Sequence, residues 1–178
     1  MLCVLNIGHS TKDPGCVNSH YNVTEFEFNT ELARDIESDF KNDNCDLLLV
    51  WQENYSTLPE KINGFDPDFV ISLHCNAANT QARGCEVFYH RESLESIPLA
   101  DIAQNNLNSA LRNPNRGVKY KDSEDRGGKL LLKVKAPIIL CEPFFLDNNQ
   151  DYENALDNYD FLIQAYVKTI NQIVDKTS

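Results

Sequence analysis

The chain has no long apolar run at its start. Leu2–Ile7 is the first such stretch, with no basic flank and too few residues for a membrane span or an export signal. Synthesis in the cytoplasm without an export signal of its own is therefore expected, with no stable membrane association. Basic residues are scarce: 16 Lys and Arg stand against 27 Asp and Glu, a formal net charge of −11. A polyanion needs a basic footprint on its partner, so this balance argues against nucleic acid and against tight docking on anionic surfaces. No CxxC pair, low-complexity stretch, internal repeat or linker-like segment occurs. The six cysteines do not read as a disulfide framework. Cys3, Cys45 and Cys141 sit in or beside apolar runs, where a free thiol behaves as a small hydrophobe. A domain of 178 residues buries enough surface to fold without staples, so reduced thiols are expected.

What is present is a regular alternation of short apolar runs with amphipathic stretches. Strands are expected at Leu2–Ile7, 45–51, 68–73, 84–89 and 138–141, with a further short one at 116–119. Asp13-Pro14-Gly15 is a loop signal. Thr24 with Glu27 three residues on forms a capping box, opening a helix through about Phe40 with Phe28, Leu32 and Ile36 on its apolar stripe. A short helix is expected near 58–62. Residues 94–111 carry helical spacing, 129–134 are ambiguous, and 151–174 read as one closing helix. Strands alternating with helices imply crossover units. The expected fold is α/β: a single domain with a mostly parallel twisted sheet and helices on both faces.

Three of the strand-like runs end on chemistry. The first ends at Gly8-His9, the third at His74 and the last at Glu142, while the helix after Thr24 begins with Glu25. Parallel strands bring the first three to one sheet edge, where open α/β sheets place their ligands. Two imidazoles and a carboxylate make a catalytic zinc set with a fourth position open for water, and a further carboxylate outside that set can serve as general base. Blander readings exist. A lone His after a strand can be a helix cap, and an acid in a first helical turn is favourable without any function. Glu142 has the weakest bland reading, because a carboxylate directly after an apolar strand is costly unless paired or functional. Glu86, inside a strand, is expected to face outward.

The pattern resembles the zinc-dependent N-acetylmuramoyl-L-alanine amidases of the amidase 3 family. The resemblance rests on Gly8-His9-Ser10-Thr11-Lys12-Asp13-Pro14-Gly15-Cys16, then Glu25 to Asn29 leading into Leu32-Ala33. Ser72, His74, Asn76 and Ala77 come after these, then Gly84-Cys85-Glu86-Val87-Phe88-Tyr89. Ser96-Ile97-Pro98-Leu99-Ala100 and Arg116-Gly117-Val118-Lys119 are next. The last block is Pro137, Leu140, Glu142, Phe145, Asn148 and Asp151, in register throughout. One departure is Ser10-Thr11, where the family has a glycine pair. It bears on the conformation of that loop and not on the ligand before it.

The resemblance implies His9, Glu25 and His74 as zinc ligands, Glu142 as general base and acid, and peptidoglycan as substrate. The bond cut would be the amide between the lactyl group of N-acetylmuramic acid and L-alanine. It further implies a monomeric catalytic domain over residues 1–178 with no separate wall-binding domain, of the type used by phage or prophage lysins and acting on the wall after release. A bacterial wall-remodelling amidase is the alternative context. Asn76 is a candidate for orienting a zinc-bound imidazole, or simply a turn former. Cys16 and Cys75 lie beside the site by sequence and are alternative ligands. Three rival functions remain: a zinc peptidase acting within the stem peptide, a peptidoglycan-binding module without catalysis, and a hydrolase using Cys75 or Cys141 as nucleophile.

Overall fold

The computed structural model describes residues 1–177. It holds one six-stranded sheet with helices on both faces. The strands are β1 (Leu2–Ile7), β4 (Asp46–Trp51), β5 (Phe69–Leu73), β6 (Cys85–His90), β7 (Asn115–Lys121) and β8 (Ile138–Glu142); β2 (Val17–Asn18) and β3 (Val23–Thr24) form a small separate hairpin. The sheet order is β4-β1-β5-β8-β6-β7. The first four of these run parallel. β6 joins β8 antiparallel, and β7 joins β6 parallel. The mostly parallel sheet and its two helical layers agree with the sequence reading.

Alternation along the central strands explains the layers. Cys3, Leu5 and Ile7 of β1 face one core with α1 (Glu25–Asp39), α3 (Ile97–Leu111) and α6 (Tyr159–Thr177). Val4 faces the other, with α2 (Leu58–Asn63) and α4 (Gly128–Lys133). Two polar residues interrupt the apolar centre and satisfy one another. The Ser72 hydroxyl donates to Asn6 Oδ1 at 2.8 Å, across register partners of β5 and β1, and Asn6 Nδ2 donates to Val50 O at 3.0 Å. Buried hydrogen-bonding groups demand such pairing.

Some elements differ from the sequence expectation. Residues 94–96 form a 3-10 turn before α3, whose Pro98 sits in its first turn, where its missing N–H costs nothing. The ambiguous segment is helix α4. The closing stretch is two helices, α5 (Asn149–Asp157) and α6, divided at Asn158. Asn158 leaves helical geometry, and its side chain donates to Asn154 O at 2.9 Å. An amide that bonds local backbone competes with helix continuation. Among the described residues, no helix is long and apolar enough to cross a membrane.

Candidate active site

β1, β5 and β8 end side by side, and their carboxyl ends carry His9, His74 and Glu142. The backbone locks these ends together: Gly8 N donates to Leu73 O at 3.2 Å and His74 N to Cys141 O at 3.0 Å. Glu25 arrives from a different direction, as the first residue of α1. The capping box forms as read from sequence, with Thr24 Oγ1 accepting from Glu27 N at 3.2 Å and Glu27 Oε2 accepting from Thr24 N at 2.9 Å. It sets where the helix starts and so where Glu25 points.

The Glu25 carboxylate is 2% exposed and held by four groups. Oε1 lies 2.9 Å from His74 Nδ1 and accepts from Cys75 N at 3.0 Å. Oε2 lies 3.2 Å from His9 Nε2 and accepts from Cys16 N at 3.1 Å. Burial opposes ionisation of Glu25, but the two imidazoles outweigh it and hold the carboxyl far below the usual carboxylate range. Burial alone would lower the His9 pKa; its bond to Glu25 reverses the sign and raises it. Gly15 makes this closeness possible. Its φ is +78°, and a Cβ there would meet Glu25 Oε2 at 2.5 Å and His9 Cδ2 at 2.8 Å.

The donor set fits a zinc ion by its chemistry. One donor atom each from His9, Glu25 and His74 lies within 4.8 Å of the others, with two imidazoles and one carboxylate among them. His9 Nδ1, on the other side of its ring, is buried without a hydrogen-bond partner among the described residues, and Asp13 Oδ1 stands 3.8 Å from it. The Ser10-Thr11 departure leaves the loop closed: Ser10 N donates to Asp13 O at 2.9 Å and Asp13 N to Ser10 O at 3.2 Å. The left-handed conformation falls on His9 itself, at φ 68°. Such strain in a non-glycine residue persists where surrounding structure imposes it, commonly at functional sites.

Glu142 lies outside this donor cluster and lines the same cavity of about 610 Å³. Burial is the main influence on its carboxyl and pushes the pKa up to about 7; Lys121 and Arg126 pull it back, while Glu86 and Glu25 push it further. An acid poised near neutrality is suited to taking and returning a proton.

Glu86 corrects the sequence reading. It is 4% exposed and turns toward the cavity rather than outward, as the cross-strand partner of Glu142. Period-2 alternation assumes that one strand face meets solvent, and both faces of β6 are covered. Arg116 Nε at 2.9 Å and the Lys119 ammonium neutralise it, so its pKa falls despite burial. Asn76 is likewise reassigned. Its Nδ2 donates to Glu86 and its Oδ1 accepts from Ala77 N at 2.9 Å, so it orients neither imidazole.

The cysteines are all free thiols, five buried and Cys16 half-buried. Cys16 Sγ points at the carbonyls of Cys75 and Asn76, and Cys75 Sγ at Asn29. Neither joins the donor cluster. Burial raises the Cys75 and Cys141 thiols well above their usual range, which removes the thiolate that a nucleophile needs.

A donor trio with a separate proton-accepting acid, in one cavity at the carboxyl edge of an α/β sheet, is an arrangement suited to metal-assisted hydrolysis. Residues 3–172 match the N-acetylmuramoyl-L-alanine amidase family, and the chain belongs to it: it is a hydrolase of the peptidoglycan amidase class. No curated protein matches the chain by sequence. Solved structures of the same fold include an N-acetylmuramoyl-L-alanine amidase from Clostridium difficile 630, at TM-score 0.90 and 20% identity, covering 99% of this chain and 98% of that one. The catalytic domain of CwlV, an amidase of Bacillus (Paenibacillus) polymyxa var. colistinus, matches at TM-score 0.85 and 22% identity, covering 98% of each chain. The catalytic domain of CD27L, an endolysin targeting Clostridia difficile, matches at 0.81 and 24%, covering 97% of each.

Proposed function

We propose that the protein is a zinc-dependent amidase that cuts between N-acetylmuramic acid and the L-alanine of the stem peptide. The observation that carries the reading is the placement of Glu142: a carboxyl with pKa near 7, facing the His9–Glu25–His74 cluster across one cavity without belonging to it. His9, Glu25 and His74 would hold the ion. When bound, zinc supplies Lewis acidity at the scissile carbonyl and at water. Glu25 is held ionised by two imidazoles and two backbone N–H groups; a bound ion would replace the imidazole protons as its positive partner, while Cys16 N and Cys75 N go on orienting the carboxylate. Glu142 takes a proton from the attacking water and returns it to the leaving amine of L-alanine. The raised pKa serves both directions of that transfer.

The proposal extends to a lysin of phage or prophage origin, made in the cytoplasm and reaching the wall after release. Its support is that the catalytic domain of an endolysin is built on the same fold. Lysis of washed cells by protein added from outside tests that extension, and activity confined to purified wall material counts against it.

Mass analysis of digested peptidoglycan tests the reaction. New amino groups should appear on L-alanine, with no new reducing sugar ends. Stem fragments lacking their N-terminal L-alanine would establish a peptidase instead, and an undigested wall that retains the protein would establish a binding module.

A further inference from the structure

One wall of the cavity is the connection between β7 and α4. It is a closed hairpin: Asp122 N donates to Asp125 Oδ2 at 2.8 Å, Asp125 N to Asp122 O at 3.0 Å, and Gly128 N to Asp125 O at 2.9 Å. A Cβ on Gly128 would sit 1.8 Å from Asp122 O, so the closure requires glycine there. The acids of the hairpin are engaged. Asp122 pairs with Arg91 at 3.0 Å, Asp125 caps the turn, and Glu124 accepts from the Ser123 hydroxyl at 2.9 Å.

Arg126 is not engaged. It is exposed and lines the cavity, and among the described residues no side chain bonds or ion-pairs with its guanidinium. It shares that cavity with His9 and Glu142. Lys121 stands on the same wall, its ammonium 3.9 Å from the centroid of the Phe88 ring, and among the described residues it has no carboxylate partner at ion-pair distance. In a chain of net charge −11 with 27 acids available, two cations unpaired in the same cavity call for an anion from outside. A guanidinium fork matches a carboxylate, with two parallel hydrogen bonds.

We propose that Arg126, with Lys121 beside it, binds a free carboxylate of the stem peptide on the peptide side of the scissile bond, and so makes the enzyme selective for acidic over amidated stems. One residue of extended peptide spans about 3.5 Å, so a carboxylate one or two residues beyond L-alanine lies roughly 4–7 Å along the cavity that Glu142, Lys121 and Arg126 all line. The inference rests on the amidase reading and adds the substrate class.

The test uses the zinc-loaded full chain on two preparations of one peptidoglycan, one with its stem carboxylates free and one with them converted to amides. Wild type should prefer the free acid. Arg126→Gln should raise KM on the free acid by about 10–100-fold with little change in kcat, the usual worth of a charge-assisted hydrogen bond. On the amidated wall the variant should match wild type, and Arg126→Lys should recover part of the preference. Unchanged melting temperature and zinc content exclude a folding effect. Equal losses on both walls, or no loss on either, would overturn the inference while leaving the amidase reading intact. Failure of wild type to release L-alanine amino ends from either wall would overturn that reading, and this one with it.

Discussion

At the residue scale the site works through the different fates of three carboxyls, Glu25 and Glu86 buried and Glu142 half-buried. Glu25 is surrounded by donors and stays ionised. Glu86 is neutralised by Arg116 and Lys119. Glu142 has no hydrogen-bond donor among the described side chains and is pushed toward neutrality. Glu142→Gln should keep zinc and fold while losing amide hydrolysis by about 10²–10⁴-fold, the usual worth of a positioned acid/base. Metal analysis beside a rate assay checks this: zinc lost together with activity would make Glu142 a ligand. The same substitution has a pH signature in chelated protein. Below about pH 4.5, Glu142 is protonated folded and unfolded alike, and its burial costs nothing. Between about 4.5 and 7 the unfolded chain releases the proton while the folded one keeps it, so stability falls as pH rises, and above 7 the loss is complete. Glu142→Gln should therefore match wild type near pH 4 and exceed it above pH 7, by no more than ~3 kcal/mol because the cavity admits water to the carboxyl. Denaturant titrations at the two pH values measure the difference.

At the element scale, strand ends and one helix start deliver the groups. Thr24→Ala removes the cap of α1 and should cost about 1 kcal/mol, a fall of roughly 2–4 °C in melting temperature for a chain of this size. Because Glu25 is the first helical residue, zinc affinity should fall too, and calorimetric titration would show it. A variant with reduced stability and unchanged affinity would mean that Glu25 is held by Cys16 N and Cys75 N rather than by the helix start. The elements were legible where one period dominated: β1, β5, β8 and α1 stand where apolar runs and the capping box place them. The division between α5 and α6 was not, because Asn158 turns the chain while apolar residues on both sides still reach the core. The antiparallel attachment of β6 was equally hidden. An apolar run carries no mark of its direction relative to its neighbours.

At the scale of the whole molecule, the donors come from residues 9, 25 and 74 and converge only when β1, β5 and α1 pack. A bound ion therefore stabilises the folded state against an unfolded chain that has no such site. Zinc at 100 times its dissociation constant should add about 2.7 kcal/mol, raising the melting temperature, and a chelator should reverse the shift. Scanning calorimetry with and without zinc checks it, and His74→Ala should abolish the response. An equal response in His74→Ala would place the ion elsewhere.

Sequence by itself determined the α/β class and singled out His9, Glu25, His74 and Glu142 as candidates, along with the reduced state expected of the cysteines. Each of these depends on local pattern: the residue that ends an apolar run, or the one that a helix cap introduces. Tertiary structure alone decided what those residues meet. Glu86 turned inward because helices cover both faces of β6, and Asn76 went to Glu86 rather than to an imidazole. Gly15 became necessary through contact with a side chain ten positions on. Among the described residues, Arg126 was left without a side-chain partner, and the acids of its own turn, Asp122, Glu124 and Asp125, were already bonded. Burial, charge pairing and close approach are properties of the space between elements, and adjacent positions in a chain do not record them.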